Sequence, residues 1–103
     1  MTDFSLHPGA YADLDSIWEH IASDNLDAAD RVLAEILSTI GRLVRFPNMG
    51  HRRSDLTSRP LRFQLVREFL IAYAPREKPL LILAVLHGRR SPRLIASLLR
   101  ERE

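Results

Sequence analysis

Apolar and polar residues alternate at the start of this chain, then recur at helical spacing, then alternate again. Asp3-Phe4-Ser5-Leu6-His7 has the pattern of a short strand with Phe4 and Leu6 inward. Pro8 suits the first position of a helix, where a missing N–H leaves nothing unpaired. Ala10, Leu14, Ile17, Trp18 and Ile21 then fall on an arc about 120° wide, opposite Asp15, Ser16, Glu19 and His20. The spacing predicts an amphipathic helix ending near Ser23. Asp24-Asn25 supplies a turn and an N-cap, and Asp27 and Asp30 sit in the first turns, where the helix dipole favours acids. Leu26, Ala29, Val32, Leu33, Ile36, Leu37, Ile40, Leu43 and Val44 cover an arc of about 140°. Arg42 and Arg45 occupy the last turns, and Phe46-Pro47-Asn48-Met49-Gly50 closes the helix. Two helices joined by so short a turn form an antiparallel hairpin with an apolar stripe on each.

Beyond a polar loop, His51 to Pro60, the period changes to two. Leu61, Phe63 and Leu65 share one strand face; Arg62, Gln64 and Val66 share the other. A tight turn at Arg67-Glu68 leads into a strand from Phe69 to Tyr73. Ala74 to Pro79 is a charged hairpin loop with proline at both shoulders. Leu80 to His87 is apolar on both faces, as a central strand is, and Gly88 breaks it. Ser91-Pro92 opens a short helix with Leu94, Ile95, Leu98 and Leu99 on one side. The predicted fold class is α+β: a helical hairpin packed on one face of a mainly antiparallel four-stranded sheet, in the order β-α-α-β-β-β, with a short C-terminal helix. The other sheet face is expected to stay partly open. Arg62 and Gln64, or the set alternating with them, would line it as a docking surface.

The 103 residues, 46% of them hydrophobic, make one domain over residues 1–103 and exclude a disordered chain. The absence of cysteine excludes disulfides, thiolate zinc sites and a cysteine nucleophile. His7, His20, His51 and His87 include no pair at helical ligand spacing, so no metal site is expected. No phosphate-cradling glycine loop and no Gly-x-Ser-x-Gly elbow occur, and Asp15 with Glu19 reads as a solvated acidic face. No catalytic residue and no cofactor are assigned on these grounds. The longest apolar run, Leu80 to Leu86, is far below the roughly 18 residues that span a bilayer. With no basic-then-apolar N-terminal stretch, a cytoplasmic protein without a membrane partner is expected.

The formal net charge of +2 hides a division. Residues 1–50 carry eight acids against three Arg, a net of −5, and residues 51–103 carry five acids against twelve basic residues, a net of +7. All the basic residues but Lys78 are Arg, which GC-rich coding would also produce. The basic cluster comprises His51-Arg52-Arg53, Arg59, Arg62, Arg67, Arg89-Arg90 and Arg93. It is either a polyanion-binding patch or a solvated surface. Trp18, at the edge of its stripe, serves core packing or a partner contact. Arg62, Arg67, Arg89, Arg90 and Arg93 are the candidate partner-binding residues, with Trp18 and Ile21 beside them.

A resemblance narrows the kind of partner. Phe4-x-Leu6, Ala10-x-x-Asp13-Leu14-x-x-Ile17 and Asp24-x-x-x-Ala28-Ala29-x-Arg31 resemble the start of the RelE/ParE toxin superfamily. Leu43-x-x-x-Pro47-x-Met49-Gly50, Leu61-Arg62, Phe69-x-Ile71-x-Tyr73 and Ile82-Leu83-x-Val85-Leu86-His87-Gly88-x-Arg90 continue it in the same order, over about residues 4–92. The ordered set looks like the ParE branch, toxins of bacterial type II toxin–antitoxin modules.

The resemblance implies one of two activities. RelE-like members cleave mRNA in the ribosomal A site, which needs cations on the sheet and an acid or stacking group near the C-terminus. This sequence has Leu70 where RelE-like toxins place an Arg, and Ser91 to Glu103 contains neither Tyr nor His. Arg90 matches, yet Arg does not exchange protons at neutral pH. ParE-like toxins instead poison DNA gyrase without a known catalytic residue of their own. The resemblance further implies a ParD-like antitoxin of ribbon-helix-helix type, which would bind operator DNA and wrap the toxin. The toxin would then meet operator DNA only through the antitoxin. An inactive member serving as a binding or co-repressing module is a third possibility.

Overall fold

The computed structural model describes residues 3–102. Strand β1 (Phe4–Leu6) leads into helices α1 (Pro8–Ala22) and α2 (Leu26–Arg45), followed by β2 (Arg62–Val66), β3 (Phe69–Ala74), β4 (Leu80–His87) and α3 (Pro92–Glu101). The strands form one sheet in the order β1-β4-β3-β2, with β1 parallel to β4 and the other pairs antiparallel. The predicted order of elements and the helical hairpin on the sheet are therefore found, in a mixed sheet with one parallel pair.

Local chemistry starts each helix where the sequence predicts it. His7 caps α1, its Nδ1 accepting from the Gly9 N–H at 2.9 Å ahead of Pro8. Asn25 caps α2 through the Ala28 N–H at 3.0 Å, and Ser91 caps α3 through the Leu94 N–H at 3.2 Å. Each side chain satisfies a donor that the first helical turn leaves free. The apolar stripes meet the sheet as Leu14, Ile36, Ile40 and Leu43 against Ile71, Tyr73, Ile82 and Val85. Thr39 is buried within the α2 stripe, its hydroxyl donating back to the Glu35 carbonyl at 2.9 Å.

The expectation of an open second sheet face is overturned. Leu61, Phe63, Leu70, Leu83 and Leu86 on that face are buried beneath Leu56 of the 51–60 loop and Ile95 and Leu99 of α3. Strands β3 and β4 are apolar on both sides, so leaving either face in water would expose a large hydrophobic area. The short C-terminal helix covers it, and the sheet lies between two helical layers. Arg62 and Gln64 lie on the hairpin side instead, half-buried at the β2 edge. Leu94, placed on the apolar side of α3 by spacing, is 60% exposed.

Strict alternation fails once, in β4. Ala72 pairs with Ala84 but Tyr73 pairs with Ile82, so Leu83 is an extra residue opposite β3. Leu83 and Ala84 consequently both point into the α3 side of the core.

At the start of β2 the close approach of two chain segments demands glycine. The Tyr73 hydroxyl donates to the Pro47 carbonyl at 2.7 Å and accepts from the Gly50 N–H at 3.0 Å. Burial pushes the Tyr73 phenol above its ordinary pKa. A Cβ on Gly50 would lie 2.7 Å from that hydroxyl and 2.8 Å from the Phe63 carbonyl oxygen. Gly50→Ala is expected to destabilise the fold by about 1–3 kcal/mol, the usual cost of overpacking. Denaturant unfolding measures it, and an unchanged midpoint would contradict the close approach.

Candidate functional site

A backbone bond gathers most of the predicted basic residues at one end of the sheet. The Gly88 N–H donates to the Glu68 carbonyl at 2.7 Å, which ties the β2–β3 turn to the end of β4. Arg67, Arg89, Arg90 and the first turn of α3 with Arg93 therefore emerge together. The Arg90 N–H donates to the His87 carbonyl at 3.1 Å and the Arg89 N–H to His87 Nδ1 at 3.2 Å, so the turn is braced against the strand. Arg89, Arg90 and Arg93 are exposed and have no carboxylate partner among the described residues. Arg67, in the left-handed region at φ 53°, is committed elsewhere: its guanidinium grips the Glu35 carboxylate of α2 through Nε and Nη2. That hydrogen bond and the Arg67 charge hold the Glu35 carboxyl below its ordinary pKa. Both partners are exposed, so the pair positions the turn more than it stabilises the fold.

Arg62 is not part of this group. It pairs with Tyr73 at the opposite end of β2 from Val66, on the order of 13 Å away along the strand. Its Nη1 donates to the Gly50 carbonyl at 2.7 Å. Alternation reports which face a residue takes, whereas strand direction decides at which end it emerges.

Two concave surfaces flank α1 and separate Trp18 from Ile21. Ile21 lines a cleft between α1 and the outer edge of β4, with Ser16, His20, Phe69, His87 and Arg90. Trp18 lines a shallower apolar groove between α1 and α2, with Leu6, Tyr11, Leu14, Leu33 and Leu37. The Trp18 indole N–H donates to Asp30 Oδ1 at 2.9 Å, bolting α1 to α2 while the ring faces the groove. Tyr11 is 67% exposed and Leu37 39%, so the groove is apolar surface without cover among the described residues.

One cluster is invisible to any reading of single residues. Strand β1 pairs with β4 only from Leu80 to Ile82, which leaves the following part of that β4 edge without a strand neighbour. Asp13 and Arg102 take its place. Asp13 Oδ2 accepts from the Val85 N–H at 3.0 Å, and Arg102 Nη1 donates to the carbonyl of the bulged residue Leu83 at 3.0 Å. The two side chains join through a two-pronged ion pair at 2.6 and 3.0 Å, with only 15% and 14% of their surfaces exposed. Arg102 reaches Asp13 across Gly9, where a Cβ would stand 2.6 Å from Arg102 Cζ. Arg59 completes the anchorage of α3 by donating to the Leu99 and Arg102 carbonyls, both at 3.0 Å. The motif Ala10-x-x-Asp13 carried part of this signal, but 89 residues of chain separate the partners.

The arrangement thus offers a braced cationic end, a cleft holding His20, His87 and Arg90, and an apolar helical groove. Leu70 of β3 is buried against α3. No helix of the described residues is long and apolar enough to cross a membrane. Comparison with curated proteins finds no match to the chain. The model of the family described as the ParE toxin of the type II toxin–antitoxin system parDE matches residues 4–92, which spans β1 to the first residue of α3. With that span and this architecture, the chain belongs to the ParE toxin family.

Proposed function

We propose that this toxin acts in the cytoplasm by inhibiting DNA gyrase, without catalysis of its own, and is neutralised by a ParD-like antitoxin. The observation that carries the reading is the set of guanidiniums at Arg89, Arg90 and Arg93, held on a braced turn without a carboxylate partner among the described residues. Such a surface binds an acidic partner through charge and position rather than through proton transfer. The antitoxin's helical segment would lie in the groove of Tyr11, Trp18, Leu33 and Leu37, with its apolar side chains replacing water there. Its acidic extended segment would continue past Ile21 to the Arg-rich end, so the charge division of the chain would orient it. Operator DNA would be held by the ribbon-helix-helix half of the antitoxin.

A second reading, ribosome-dependent mRNA cleavage, is favoured by one feature, the meeting of His20, His87 and Arg90 in a single cleft. Two imidazoles beside a guanidinium are the groups that phosphodiester cleavage uses. Purified toxin added to a gyrase supercoiling reaction and to a translating extract separates the two. Loss of supercoiling with intact transcripts is expected. Cleaved transcripts with undisturbed supercoiling would overturn the proposal, and silence in both assays would leave the binding-module reading.

A further inference from the structure

Arg62, set apart from the other candidate residues, has different company. Together with Arg52 and Arg76 it lines a cleft of about 440 Å³ at the end of the sheet remote from Arg89 and Arg90. Pro47, Asn48, Pro60, Leu61 and Pro75 complete the wall, and no carboxylate is among the lining residues. Arg53, Arg67 and Arg102 each hold an acid; these three hold none among the described residues. Arg62 is fixed by its Nη1 bond to the Gly50 carbonyl, which leaves Nε and Nη2 without an acceptor among the described residues. Arg52 and Arg76 are exposed, and neither makes a side-chain hydrogen bond among the described residues. Three prolines on the two connecting segments, Pro47 and Pro60 before β2 and Pro75 after β3, restrict the backbone that carries the cluster.

We propose that this cleft binds the phosphodiester backbone of a nucleic acid, giving the toxin a direct contact with DNA that does not pass through an antitoxin. Three guanidiniums facing one space, with no acid to neutralise them, attract an anion. Phosphodiester fits better than an acidic peptide for a structural reason. The wall offers no aromatic anchor and no exposed branched aliphatic one for peptide side chains, since Leu61 is buried and only proline rings are apolar there. Guanidinium planes and proline rings remain, and guanidinium planes accept stacked bases as readily as they fork to phosphate. One toxin molecule would then present two basic faces at opposite ends of its sheet, one for its protein partners and one for nucleic acid.

The test is fluorescence anisotropy of a short labelled DNA duplex titrated with the purified full chain between about 50 and about 200 mM salt. The wild-type chain is expected to bind, with affinity falling steeply as salt rises. Arg52→Gln/Arg76→Gln is expected to weaken binding about tenfold at the lower salt and to make the log–log salt slope shallower by about two, one for each phosphate left without its guanidinium. Arg31→Gln/Arg100→Gln removes the same charge from exposed positions elsewhere and is expected to change the slope by less than about one. The unfolding midpoint of the cleft variant should match wild type, because neither side chain bonds to the described residues. Absence of binding by the wild-type chain would overturn the proposal, and so would an equal loss in both variants. Equal or tighter binding of an acidic peptide of matched charge would also overturn it. The readout uses the chain and DNA alone, so gyrase inhibition stands or falls separately.

Discussion

Asp13→Ala is expected to lower the unfolding free energy by about 3–5 kcal/mol, the usual cost of stranding one member of a buried ion pair. The Asp13 carboxylate answers three donors at once: two arms of Arg102 and the Val85 N–H of the unpaired β4 edge. Its removal leaves a mostly buried guanidinium without its counter-charge, holding only the Leu83 carbonyl, and an edge amide without its acceptor, and both penalties add. Arg102→Met is expected to cost less, since the carboxylate keeps the Val85 N–H. The double variant Asp13→Leu/Arg102→Met should recover part of the loss, because apolar groups of similar volume strand no charge. Urea unfolding measures the set, and adding the Asp13→Leu single variant closes a double-mutant cycle with Arg102→Met. A cost below about 1 kcal/mol for Asp13→Ala would show that the pair is not structural.

Arg89→Glu/Arg90→Glu is expected to abolish growth arrest on induction and to raise the toxin concentration needed for half-inhibition of supercoiling on the order of a hundredfold. Reversing two charges on a braced turn sets like charge against an acidic partner surface, which costs several kcal/mol of affinity. Both side chains are exposed and make no ion pair among the described residues, so the unfolding midpoint should hold near that of wild type. Retained growth arrest by a soluble, folded double variant would remove Arg89 and Arg90 from the target surface. An Arg62→Gln variant supplies the contrast. Because Arg62 lies at the other end of the sheet, its loss should leave gyrase affinity within a small factor of wild type while weakening DNA binding.

The element order was legible because helical and strand periods differ and because caps and prolines stand where elements change. Pro8, Asn25 and Ser91-Pro92 mark three helix starts that the structure reproduces, and only the structure adds His7 as the cap of the first. Trp18 was legible as a stripe-edge residue, and the structure leaves it half-buried outside the two core clusters. Its N–H is bound to Asp30 while its ring lines a groove. Leu70 was legible as an apolar residue of β3, and the structure buries it beneath α3. The cover on the second sheet face was half-legible. Apolar residues on both faces of β4 signal that something must lie on each, but not that the final helix does.

The residue pattern alone determined the secondary structure, the hairpin, the charge division and the family, because each is written in neighbours along the chain. Only the tertiary structure decided which charges stand together. It placed Arg67, Arg89, Arg90 and Arg93 at one end of the sheet and Arg62 with Arg52 and Arg76 at the other. It also brought Asp13 to Arg102 and Ile21 to Arg90. Local periodicity is a statement about the face a residue takes, and every residue of one strand face satisfies it equally. Strand pairing, strand direction and a one-residue bulge set the remaining coordinates, and these follow from contacts between segments far apart in the chain.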